Sequence, residues 1–143
     1  MAEVHIRTFR YPDDYASAVR IWQMAGAGVH VGASDVPAEI EKKLQRDPDL
    51  FLVAELDAGL VGTVIGGFDG RRGLVYHLAV SPALRRQGVA SALMREVESR
   101  LKAKGCVRCY LLVRKDNADA LAYYEKAGWS LLPDHVFAKD LVE

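Results

Sequence analysis

Between a basic turn and Lys104-Gly105, apolar residues recur every four positions, at Val89, Leu93, Val97 and Leu101. Positions so spaced drift slowly around one face of a 3.6-residue helix, which predicts an amphipathic helix with that face buried. Basic residues in its last turn and Gly105 beyond it suit its C-terminus. Upstream the period is two or the apolar run is continuous. Val4 to Phe9 alternates, as a strand with one buried face does. Leu50 to Leu56 reads as a buried strand, Asp57-Ala58-Gly59 as a hairpin turn and Leu60 to Phe68 as the returning strand. Asp69 to Gly73 then turns into a third strand, Leu74 to Val80. Cys106 to Val113 is predicted to lie parallel to it, because a crossover helix separates the two.

The remaining elements follow from caps and breakers. Pro12-Asp13-Asp14 opens a helix with Ala16, Val19 and Trp22 inward, alongside Tyr15 and Ile21, and Gly26-Ala27-Gly28 ends it. Val29 to Ser34 is a loop. Ser34 or Asp35 caps a second helix that starts at Pro37 and runs through Ile40 and Leu44 to about Asp47. Asp116 with Asp119 marks another helix, burying Ala120, Leu121, Tyr124 and Ala127 and ending at Gly128. Trp129 to Leu132 and Val136 to Leu141 form a final hairpin. The order β-α-α-β-β-β-α-β-α-β-β predicts one α/β domain over residues 1–143, a mixed central sheet flanked by about four helices.

Composition narrows the function classes. Nineteen basic residues balance nineteen acidic ones, so no bulk charge attracts nucleic acid and any anion site must be local. No stretch approaches the roughly 18 apolar residues of a membrane span, and the first residues lack the regions of a signal peptide, which gives the cytoplasm as the expected compartment. Cys106 and Cys109 form a lone C-x-x-C. Three apart on a strand they face opposite sides, and no second pair completes a zinc site, so packing is their expected role.

Candidate chemistry begins at the turn before the central helix. Arg85, Arg86 and Gln87 directly precede Gly88, where the first helical turn leaves backbone N–H groups without partners. Those groups, the helix dipole and two guanidinium groups suit a phosphorylated ligand, and Gly88 allows close approach while Ala90 and Ser91 keep the mouth narrow. A solvated loop is the alternative. The turn carries neither G-x-G-x-x-G nor a Gly-Lys-Ser/Thr.

Arg85-x-x-Gly88-x-Ala90, after a strand and opening a helix, resembles the (Gln/Arg)-x-x-Gly-x-(Gly/Ala) signature of the GNAT acetyltransferase superfamily. Asn117-x-x-Ala120-x-x-Tyr123-Tyr124-Glu125-x-x-Gly128-Trp129 resembles its second block, and the element order is similar throughout. Within the superfamily the chain is most similar to the small bacterial YpeA-type members, through Phe51 to Glu55, Val61 to Val64 and Gly67 to Gly70. The resemblance implies a GNAT fold and an acetyl-CoA-dependent N-acetyltransferase. It implies that the Arg85–Ser91 turn, Val89 included, holds the cofactor pyrophosphate. The strand at Leu78, Ala79 and Val80 would splay from its parallel neighbour, its N–H groups meeting the pantetheine and the thioester carbonyl as an oxyanion device.

The same resemblance gives Tyr124 as general acid to the coenzyme A thiolate and Asn117 as a pantetheine or pyrophosphate contact. A core aromatic and a helix cap are the alternative readings of those two residues. The base is open. Leu74 and Leu112 stand where related enzymes often carry Glu, Tyr or His. Tyr76 shares the face of Leu74 and could relay a proton through water, whereas His77, better suited as a base by its pKa, faces the other side unless a bulge intervenes and is read first as a satisfied structural histidine. His5, His30 and His135 have weaker claims, His30 alone lying in the loop expected to border the acceptor. The acceptor is expected to be a primary amine, on a small molecule or on a protein N-terminus or lysine, attacked directly in a ternary complex. The rival is a coenzyme A-binding sensor or partner-binding module without turnover. Either fits a monomer or a homodimer.

Overall fold

The structure is a computed structural model that describes residues 3–25, 29 and 31–142. Its sheet has five strands in chain order: His5–Thr8 (β1), Phe51–Leu56 (β2), Gly59–Phe68 (β3), Gly73–Val80 (β4) and Cys109–Leu111 (β5). The first four are antiparallel neighbours, and β5 lies parallel to β4, as the intervening helix requires. Alternation along β2 sends Phe51 and Val53 to one face and Leu52 and Ala54 to the other. Helices Tyr15–Met24 (α1) and Pro37–Arg46 (α2) supply Trp22 and Ile40 to the first face; Val89–Ala103 (α3) and Ala118–Lys126 (α4) cover the second.

Helix α3 buries Val89, Leu93, Val97 and Leu101, with Met94 beside them. It lies close to β3 because the strand carries glycine where the helix crosses. A Cβ on Gly66 would stand 2.8 Å from Val97 Cγ2, and one on Gly62 3.0 Å from Leu93 Cδ1. Below this contact, Arg100 reaches across to Thr8 Oγ1 and the Asp49 carbonyl and ties the helix to the far strand.

Four expectations are corrected. Helix α1 starts at Tyr15, after a turn over 11–14, because the Asp14 carboxylate is taken by the Arg10 N–H at 2.7 Å and by Arg7. Ala18, Ile21 and Trp22 are its buried residues, Tyr15 and Val19 pack half-buried against the same cluster, and Ala16, expected inward, is exposed. Asp35 does not cap α2: it closes a separate 3-10 turn, Ala33–Asp35, and its carboxylate accepts from the Gly32 N–H. Cys106 precedes β5, so the two cysteines do not face opposite ways. Both close on Gly73, where a Cβ would meet Cys106 Sγ at 2.7 Å and Cys109 Cβ at 3.0 Å.

The fourth is the final hairpin: no strand forms over 130–142, and Leu131, Val136, Phe137, Leu141 and Val142 are exposed, Phe137 by 94%. A three-residue β5 is too short an edge to order a hairpin, and Pro133 removes a donor from it. The turn expected at Gly26-Ala27-Gly28 lies outside the described residues. No helix among those described is long and apolar enough to cross a membrane.

Candidate active site

The site is built on an irregularity in β4. Pairing with β3 runs from Phe68↔Gly73 to Ile65↔Tyr76 and resumes at Thr63↔Ala79, which leaves His77 and Leu78 opposite Val64 alone. This is a β-bulge, and His77 takes a φ of +52° within it. Thr63 fixes it: its hydroxyl donates to the His77 carbonyl at 2.8 Å and accepts from Trp22 Nε1 at 2.9 Å. The bulge also changes which way the strand faces. Gly73 donates to Arg108 on the β5 side, whereas Ser81, an even number of residues on, donates to Val61 on the β3 side. In an unbroken strand both would point the same way. After the bulge, therefore, the N–H groups of Leu78 and Val80 point toward β5, and that of Ala79 points to β3.

Strand β5 is not there to receive them. Parallel pairing covers only Gly73–Val75 against Cys109–Leu111, and β4 continues alone from Tyr76 to Val80. A gap thus opens in the sheet, with the N–H groups of Leu78 and Val80 on its wall. Tyr124 packs on the α3 side of this gap in the cluster that includes Leu78, Val80 and Leu111. Its ring stands edge-on to Trp129, with centroids 6.1 Å apart, and its hydroxyl has no partner among the described residues. Burial, with Tyr123 adding to it, pushes the phenol up to about 12.

Along the same face lies a cleft of about 290 Å³, lined by Val80, Leu84, Arg85, Arg86, Gly88, Val89, Ala90, Ser91 and Tyr123. Arg86 and Gly88 both have positive φ, which turns the chain sharply into α3. No residue among those described accepts from the N–H groups of Arg86, Gln87 or Gly88, and α3 has no side-chain cap. Space is open above Gly88, where an added Cβ would meet nothing within 4 Å. Orphaned N–H groups, a helix N-terminus, two exposed guanidinium groups and open backbone fit the pyrophosphate of coenzyme A. Gln87 points into a neighbouring cleft of about 550 Å³ on the other side of Gly88, together with Glu3, Val4 and Leu56.

The opposite face of the gap carries different groups. The bulge puts Tyr76 and His77 together on the α1 side, their rings 5.5 Å apart. His77 Nε2 lies 2.8 Å from Asp35 Oδ1 and the imidazole meets the edge of Trp22 at 4.7 Å. Asp35 is buried, and Tyr15 donates to its carbonyl at 2.8 Å. The Tyr76 phenol is pushed up to about 12 by burial, with the negative charges of Asp47 and Asp35 adding to it.

The candidates from sequence therefore divide between the two faces. Arg85, Arg86, Gly88, Val89, Ala90, Ser91 and Val80 share the cleft, Leu78 and Tyr124 line the gap, and Tyr76 lies on the opposite face. Ala79 is buried against α1, and Asn117 Oδ1 accepts from the Ala120 N–H as the cap of α4. Leu74 and Leu112 are exposed apolar side chains, and His30 lies outside the described residues. Sequence reasoning gave Tyr123 no role in the site, yet it lines the cleft and its hydroxyl stands 3.1 Å from Ser91 Oγ. It also missed Asp35 and Thr63; a lone Thr between Gly62 and Val64 in an apolar strand was the available signal for the latter. Among the described residues no group of three or more His, Cys, Asp or Glu side chains could hold a metal ion.

The family model described as Acetyltransferase (GNAT) family matches residues 16–129. An acetyltransferase of Pectobacterium atrosepticum is 39% identical over 140 residues, 98% of this chain and 97% of that protein. One from Photorhabdus laumondii is 43% identical over 123 residues, 84% and 81% of the two. Among solved structures, the PaiA N-acetyltransferase of Thermoplasma acidophilum, in complex with coenzyme A, superposes with a TM-score of 0.80 at 17% identity, covering 93% of each chain.

Proposed function

The chain belongs to the GNAT acetyltransferase family and is an acetyl-CoA-dependent acyltransferase, and from that premise we propose that it acetylates a primary amine by direct attack within a ternary complex. The observation that carries this reading is the gap between β4 and β5, with an anion cleft on one face and the polar side chains of Tyr76, His77 and Asp35 on the other. Acetyl-CoA supplies the activated acyl thioester. The Arg86–Gly88 N–H groups and the two arginines hold its pyrophosphate at the mouth of α3, and the pantetheine runs along Val80 into the gap.

At the thioester, the Leu78 N–H faces the carbonyl oxygen and stabilises the charge that develops there. Tyr124 is the acid: with its phenol pushed up to about 12 it carries its proton at neutral pH and gives it to the departing sulfur. Tyr76, protonated for the same reason, serves as a hydrogen-bond donor at the acceptor face, in place of the proton relay expected from sequence. Among the described residues no Ser or Cys is hydrogen-bonded to a His, and burial pushes the Cys109 thiol up, both of which favour direct attack over an acyl-enzyme.

Calorimetric titration with acetyl-CoA, paired with coenzyme A release across a panel of small amines and peptides, tests the reading. Arg86→Glu weakens cofactor binding about 10- to 100-fold, the loss of one charge-assisted contact. An unchanged dissociation constant removes the turn from the site. Tight binding with no turnover on any amine replaces the enzyme reading with that of a coenzyme A-binding module.

A further inference from the structure

We propose that His77, oriented by Asp35, is the base that deprotonates the acceptor amine, and that the turn ending in Asp35 thereby couples the α1–α2 connection to the chemistry. The inference rests on the N-acetyltransferase reading above. If the cofactor occupies the α3 face of the gap, the amine must reach the carbonyl carbon from the α1 face. There the bulge has swung His77 round beside Tyr76, one residue from the N–H that faces the gap.

The imidazole is held in one orientation. Asp35 Oδ2 accepts from the Gly32 N–H at 2.9 Å, and Oδ1 lies 2.8 Å from His77 Nε2. With a carboxylate accepting at Nε2, the neutral ring carries its hydrogen there and keeps a lone pair on Nδ1, the form the proposed base uses. Nδ1 has no partner among the described residues and is not among their buried unpaired atoms, so solvent reaches it. Trp22 packs on the ring from α1, Asp35 faces it from the 3-10 turn and Tyr76 from β4 itself. Asp47, at the end of α2, acts on Tyr76 and is paired with Lys43 at 2.7 Å. Lys43, the cation in this set, is taken up by Asp47 and the Gly66 carbonyl.

The step balances. The ammonium gives one proton to Nδ1, and the freed nitrogen lone pair forms the N–C bond as the carbonyl π pair moves to oxygen against the Leu78 N–H. When the carbonyl re-forms, the C–S bond breaks and its electron pair leaves on sulfur, which takes the Tyr124 proton. The adduct nitrogen replaces that proton through water, and the imidazolium returns its own to solvent. An ammonium and a thioester thus become an amide, a thiol and one released proton.

The test compares the full-length chain with its His77→Gln and Asp35→Asn variants. Each is titrated with acetyl-CoA, then assayed for coenzyme A release to 2-phenylethylamine, which is protonated at neutral pH, and to hydroxylamine, which is not. His77→Gln is expected to lower kcat for phenylethylamine about 10²- to 10⁴-fold, the usual reach of a general base. Hydroxylamine should lose less than about tenfold, with cofactor affinity kept; Asp35→Asn falls between and changes the acid limb of the pH–rate profile. Equal losses with both nucleophiles, or none with either, overturn the base assignment while leaving the transferase reading intact. A wild-type chain that binds acetyl-CoA but releases nothing to these probes or to any other amine of the panel overturns both. If His77→Gln does not fold, His77→Asn, which tolerates positive φ, gives the same readings.

Discussion

Tyr124 and Thr63 are half-buried and buried polar side chains whose replacement by near-isosteres separates chemistry from packing. Tyr124→Phe keeps the ring against Trp129 and removes only the hydroxyl, which has no partner among the described residues. Turnover is expected to fall by one to a few powers of ten at nearly constant acetyl-CoA affinity, and steady-state kinetics beside calorimetry would check it. Equal turnover would return Tyr124 to the core. Thr63→Val has a different signature. It strands the buried Trp22 N–H and the His77 carbonyl together, which costs about 1–3 kcal/mol in denaturant unfolding and loosens the bulge on which the site depends. Neither Thr63 nor Asp35 could be assigned from the chain alone. Thr63 looks like one polar position in an apolar run, and Asp35 like a helix cap, because the partner of each lies on a strand many residues away.

At the scale of elements, the close contact of α3 with β3 is the most sensitive joint. Gly66→Ala places a methyl group within 2.8 Å of Val97 Cγ2 and is expected to lower stability by about 1–3 kcal/mol, read from urea unfolding; no change would mean that the helix can shift. The elements themselves were legible wherever periodicity was clean: α3, the β2–β3–β4 meander and the parallel return of β5 all follow from apolar spacing and connection length. The basic turn was legible too, since arginines, glycine and a helix start lie within a few residues. What escaped was anything that depends on counting residues across a ladder. A bulge leaves no local mark in Tyr76-His77-Leu78, yet it inverts the direction of every later N–H in β4. The final hairpin failed for a related reason: alternation in 129–141 states a preference for extended chain and says nothing about whether an edge is long enough to receive it.

Over the whole molecule, one acid-sensitive joint lies between β1 and α1. Burial raises the Asp14 carboxyl, but the hydrogen bonds from Arg7 and the Arg10 N–H outweigh this and hold it below its ordinary value of 3.8. A carboxyl depressed in the folded state contributes stability that is present above its unfolded value and lost as pH falls through the folded one. Asp14→Asn should therefore flatten the loss of melting temperature below about pH 4, followed by thermal unfolding against pH; an unaltered slope would place acid sensitivity elsewhere. On the far side of the molecule, removal of residues 130–142 takes away exposed apolar side chains with no partner in the core, so the melting temperature should hold while solubility rises. The two tryptophans of the chain are divided between these same two faces. Trp22 stands 4.7 Å from His77, and Trp129 stands 6.1 Å from Tyr124. The protein thus carries a built-in fluorophore beside each group assigned to move a proton. In a Trp129→Phe background, where emission comes from Trp22 alone, a charged imidazole quenches the neighbouring indole. Light emitted from the core then reports, without any label, when the base has taken up its proton.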